Sequence, residues 1–125
     1  MNETQGNLEL GIGDKEAVTL KPARVKIEAI EIQKVGDKGN EKVVCAVKHP
    51  DKEEQIHISS VKYIKADKVT ESGLWINFDE DKKIRKGSAL ALFMNKLNVD
   101  KIGSIKGKEI DTEIDSKGYL TFKLY

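Results

Sequence analysis

Few side chains in this chain are spaced for covalent chemistry. Ser59-Ser60-Val61-Lys62 has the S-x-x-K spacing in which a lysine can activate a serine, but the S-D-N and K-T-G partners that such sites need do not occur. Asn77, Asp79 and Asp81 stand at the first, third and fifth positions of a calcium loop. Lys82 and Ser88 then occupy the positions where that loop needs glycine and glutamate. Lys86-Gly87-Ser88 inverts the lysine and glycine that end a phosphate-binding loop and has no correctly spaced upstream glycine. His49, His57 and the single cysteine, Cys45, form no zinc-binding spacing, and Cys45 lies among valines as a small core residue does. The expectation is a protein that is not an enzyme and holds no metal or cofactor.

Aromatic residues interleaved with lysines are the remaining signal. Tyr63 sits between Lys62 and Lys65, Trp75 and Phe78 precede Lys82, Lys83, Arg85 and Lys86, and Tyr119 and Tyr125 flank Lys123. This combination holds single-stranded nucleic acid, since bases stack on aromatic faces while lysines track the phosphates. Tyr119 and Tyr125 are the better candidates, because Leu120, Phe122 and Leu124 already claim the core side of the last strand.

The elements that must position these side chains read mainly as strands. Across Lys21–Val35, Val25, Ile27 and Ala29 share one parity, and Ile30 and Ile32 continue on the other. A β-bulge absorbs such a slip and bends the strand, letting it pair with one set of neighbours early and another late. Gly36-Asp37-Lys38-Gly39-Asn40 is a turn, and Lys42–His49, apolar on both faces, is an interior strand. Gln55–Tyr63 alternates as a third strand, Lys65–Glu71 is polar, and Gly73–Phe78 is a further short strand. Ser88 caps one helix over Ala89–Leu97, whose Leu90, Phe93, Met94 and Leu97 form an apolar stripe ended by Asn98. Lys108–Ile114 and Tyr119–Tyr125, joined by Asp115-Ser116-Lys117-Gly118, make a closing hairpin.

With 125 residues the chain suits one domain, and 34% charged residues imply a heavily charged surface. No apolar run approaches the length of a membrane span, and the acidic opening residues, without an apolar stretch, give no expectation of a secretory signal. One cysteine fits a reducing cytoplasm. The net charge is +1, divided between −3 over residues 1–19 and +4 over the remainder. Residues 1–20 are expected as a flexible acidic lead, with a short edge strand near Leu8–Ile12, and residues 21–125 as the folded domain.

Three strands, an excursion, one helix and a two-strand hairpin, in that order, resemble the OB-fold, a five-stranded Greek-key barrel with a helix between its third and fourth strands. The expected class is therefore all-β with one helix, a five-stranded barrel carrying an extra hairpin around Trp75. The resemblance implies binding of single-stranded DNA, or RNA, with little sequence preference, and partners among replication, repair or recombination proteins. It implies a binding face on strands two and three, flanked by two loops. Lys34, Lys38 and Lys42 then lie around the first loop, Lys62, Tyr63 and Lys65 on the third strand, and Lys117, Tyr119 and Lys123 on the last hairpin; the interleaving adds Trp75. The alternative is a protein-interaction module of the same shape that binds no nucleic acid, which the near-neutral charge favours.

Overall fold

The computed structural model describes residues 20–125. The lead expected over residues 1–20, with its edge strand near Leu8–Ile12, lies outside the described residues except for Leu20. The described chain is mostly β, with strands β1 (Arg24–Val35), β2 (Asn40–Lys48), β3 (Ile56–Ile58), β4 (Ser60–Lys65), β5 (Lys68–Gly73), β6 (Glu109–Ile114) and β7 (Leu120–Lys123). One α-helix, α1 (Ala89–Lys96), and a short 3-10 helix, Ile102–Ile105, stand between β5 and β6.

The first strand carries the expected irregularity. Its register against β2 shifts between Ile27 and Ala29, leaving Glu28 as the extra residue. Ile27, Ile30 and Ile32 consequently stand opposite Val47, Cys45 and Val43, all on the core side of β2. The start of β1 pairs instead with β6, Val25 opposite Ile110. One strand thus serves two neighbours, as the phase slip requires.

The hydrogen-bonded order is β3-β2-β1-β6-β7-β4-β5, an array that among the described residues does not close on itself. Seven strands stand where five were expected, for two local reasons. Ser59 interrupts the expected third strand, dividing it into β3 and β4. The polar stretch after Lys65 turns back at Ala66 and Asp67, both at positive φ, and pairs along β4 as β5. This hairpin comes just before Trp75, and the strand expected at Gly73–Phe78 is reduced to single bridges from Trp75 to Lys42 and from Phe78 to Ile84.

The helix forms as its sequence dictates. Ser88 accepts a hydrogen bond from the Ala91 amide, and Asn98, at φ +58°, ends the helix in the left-handed region. Leu90, Phe93, Met94 and Leu97 are buried, and Phe93 lies against Phe122 of β7 with ring centroids 4.8 Å apart. Val25, Ile27, Val43, Cys45, Val47, Ile58, Val61, Leu74, Ile105 and Ile110 complete the core. Burial pushes the Cys45 thiol up to about 12, so it is inert as a nucleophile at neutral pH. His49 is fully buried, and its ring bridges the Lys21 carbonyl (2.8 Å) and the Asp51 amide (3.0 Å).

Candidate nucleic-acid interface

Strand parity decides which side chains point away from the core. In β2, Val43, Cys45 and Val47 enter the core, so Lys42, Val44 and Ala46 take the opposite, outer face, where Val44 and Ala46 are still largely buried at 8% and 7% exposure and Lys42 is half-buried. His57 of β3 stands opposite Ala46 and shares that face. Ala29, Glu31, Val44, Ala46, Gln55 and His57 border a shallow depression of about 190 Å³ there. Towards the β1–β2 turn, β2 exchanges β3 for another partner: the Val43 amide donates to Leu74 O (2.9 Å) and the Ile76 amide to Glu41 O (2.9 Å). This sets Trp75 beside Lys42, whose Nζ lies 5.0 Å from the indole centroid, a cation–π contact.

Gly73 makes room for that pair. A Cβ built there would fall 2.8 Å from Trp75 Nε1 and 2.9 Å from Lys42 Cε. Gly73→Ala is expected to displace the indole at a cost of about 1 kcal/mol, since flexible side-chain ends must move rather than backbone. Trp75 is the chain's single tryptophan, so its emission spectrum reports the shift directly. An unchanged spectrum in the variant would contradict this packing.

The outer face continues from Gly73 to β4 and β7. Gly73 pairs with Ser60, whose hydroxyl is 2.8 Å from that of Thr121. Two residues further, Lys62 pairs with Lys123 across the parallel β4–β7 contact, and Lys123 Nζ lies 5.0 Å over the Tyr125 ring. Lys62 Nζ donates to Ile114 O at 2.9 Å, which fixes the ammonium in place. Glu71 is opposite Lys62, but its carboxylate accepts from the Ser116 amide and hydroxyl at 2.8 and 2.9 Å.

A second approach to the outer face lies at the other end of β3. A cleft of about 290 Å³ there is lined by Lys52, His57 and Tyr119 above Ile56, Ile58 and Leu120. Tyr119 is 70% exposed and is held by its turn, where Asp115 Oδ1 accepts from the Lys117 and Tyr119 amides at 2.9 and 2.8 Å.

The structure thus brings Lys42 to Trp75, Lys62 to Lys123, and Tyr119 to His57. It does not group Lys62 with Tyr63, since consecutive strand residues oppose each other: Tyr63 turns inward against the core edge near α1. Lys34 at the end of β1, Lys38 in the β1–β2 turn, Lys65 at the end of β4 and Lys117 in the β6–β7 turn are all exposed. His57 was weighed in the sequence only as a metal ligand. Its place between inward Ile56 and Ile58 was the signal that it faces outward.

The other spacings weighed in the sequence have ordinary structural roles. Asp79 Oδ1 accepts from the Asp81 and Lys83 amides, closing a turn. No cluster of three or more His, Cys, Asp or Glu side chains placed to hold a metal occurs among the described residues, nor does a helix long and apolar enough to cross a membrane. Comparison with protein-family models, curated proteins and solved structures finds no match to this chain.

Proposed function

We propose that the chain binds single-stranded nucleic acid, DNA in preference to RNA, with little sequence preference and without catalysing a reaction. The observation that carries this reading is the Lys42–Trp75 pair on the outer face of β2, in line with the Val44–Ala46 depression, His57 and Tyr119. An aromatic plane beside a fixed cation is what a stacked base and its phosphate require.

The OB-like reading of the fold belongs to the same proposal. It is supported by antiparallel β1–β2, β2–β3, β1–β6 and β6–β7 pairings together with a parallel β4–β7 pairing. Only Ser59 separates β3 from β4, so counting them as one bent strand makes the order return to its start. In such a barrel the nucleic acid lies across strands two and three, here β2 and β3–β4, between two loops, here the β1–β2 and β6–β7 turns that carry Lys38 and Lys117.

Titration with oligo-dT tests the reading. Trp75 emission should be quenched, and affinity should fall with salt at about 0.7 per phosphate contact in log–log slope. Trp75→Ala should cost about 1–3 kcal/mol of binding, measured at a temperature where its melting curve shows the variant still folded. The same titration with oligo-rU tests the preference for DNA. Failure of any oligonucleotide to bind at low salt would favour the protein-interaction reading. The exposed Ile64–Val69 cross-strand pair at the tip of the β4–β5 hairpin is the observation that supports that alternative.

A further inference from the structure

Outside that face, one more cavity has the chemistry of a base site. Between the inner side of the β4–β5 hairpin, the last turn of α1 and the end of β7 lies a groove of about 340 Å³, lined by Tyr63, Ile64, Leu92, Asn95, Lys96, Leu124 and Tyr125. Its volume is at the lower end of the range for small-molecule sites, which suits a single planar group. Tyr63 is half-buried and packed against the core edge, whereas Tyr125 is 42% exposed, so one aromatic wall is fixed and the other is accessible. Lys96 lines the groove, and Lys123 Nζ sits over the Tyr125 ring. No carboxylate side chain lines it among the described residues. Asn95 adds a side-chain amide, both donor and acceptor, which can meet a base edge.

We infer that this groove takes one unstacked nucleobase of a bound single strand, inserted beside Tyr125 over Leu92 and Leu124, with Lys96 and Lys123 on its flanking phosphates. Aromatic walls select a planar ligand, and the ammonium groups of Lys96 and Lys123 favour an anionic backbone beside it. The inference rests on the nucleic-acid reading and adds to it a site away from the outer face of β2 and β3. The track Gly73–Ser60–Lys62–Lys123 leads from Trp75 to it.

The test measures binding of the full chain to a short labelled oligo-dT and to an abasic oligonucleotide of equal length. Tyr125→Ala should weaken oligo-dT about tenfold and leave the abasic strand unchanged, because only a base is lost from the groove. Lys96→Ala, on an exposed helical position, should lower the salt slope by about 0.7 for both probes. If Tyr125→Ala binds oligo-dT like the wild type while Trp75→Ala binds it less well, the groove is not a base site and the outer face alone stands. If Tyr125→Ala weakens both probes equally, the ring acts only through Lys123 and the base site is overturned. If the wild type binds neither probe, both readings fall.

Discussion

Phe93→Ala should lower the stability of the folded domain by about 3–5 kcal/mol, the usual cost of emptying a buried aromatic site. The helix is joined to the sheet through one stripe of side chains, and Phe93 is its centre: Leu90 precedes it by one turn and Leu97 follows by one. The ring is fully buried, and it stacks on Phe122 with 20° between the planes, so the substitution opens a cavity and removes an aromatic pair together. In thermal unfolding this corresponds to a drop on the order of 15 °C. Phe93→Leu should cost much less, because most of the volume stays filled. The consequence for binding is local. Leu92 and Asn95 flank Phe93 on the same helix and line the groove beside Tyr125, so loosening the helix should weaken that groove first. Trp75 emission in the folded fraction should stay unchanged, since Trp75 is placed by β2 and Gly73 rather than by α1. A loss below about 1 kcal/mol would mean that the helix is not seated on Phe122 as described.

What the sequence made legible follows from where its signals are local. The slip after Ala29 foretold the register shift beside Glu28, because parity is a property of the strand itself. Ser88 and Asn98 marked the helix ends through short-range capping and backbone geometry. The β5 strand was hidden because Lys68–Gly73 has no apolar alternation. It is specified by the two-residue turn at positive φ and by pairing to β4, neither of which hydropathy records. The Lys42–Trp75 contact spans thirty-odd residues of chain and depends on the Leu74 and Ile76 backbone replacing β3 beside β2. His49 shows the same limit. As one of two histidines it offered nothing for metal binding, yet its ring ties the chain just before β1 to the turn just after β2. Grouping lysines with neighbouring aromatics by sequence also ran against the two-residue period of strands, which is why Lys62 and Tyr63 part company.

Removing both rings, half-buried Trp75 and exposed Tyr125, tests whether one strand of nucleic acid runs from Trp75 to Tyr125. By register, the path passes from Gly73 beside Ser60, along two residues to Lys62, across to Lys123 and on to Tyr125. Strand rise and spacing make this path on the order of 20 Å, beyond the range in which substitutions couple directly. Each ring is worth about 1–3 kcal/mol if a base stacks on it, so Trp75→Ala with Tyr125→Ala should cost about 2–6 kcal/mol in oligo-dT affinity. The double variant loses no ammonium, so its log–log salt slope should match that of the wild type. Lys42→Ala, by contrast, should lower the slope by about 0.7 as a phosphate contact is lost. An oligonucleotide too short to span both rings should respond to one substitution at a time rather than to their sum. If the double variant binds a long oligo-dT no more weakly than the worse single variant, then the two rings do not serve one strand. Trp75 would then mark a binding face whose continuation lies towards His57 and Tyr119 instead of along Lys62 and Lys123.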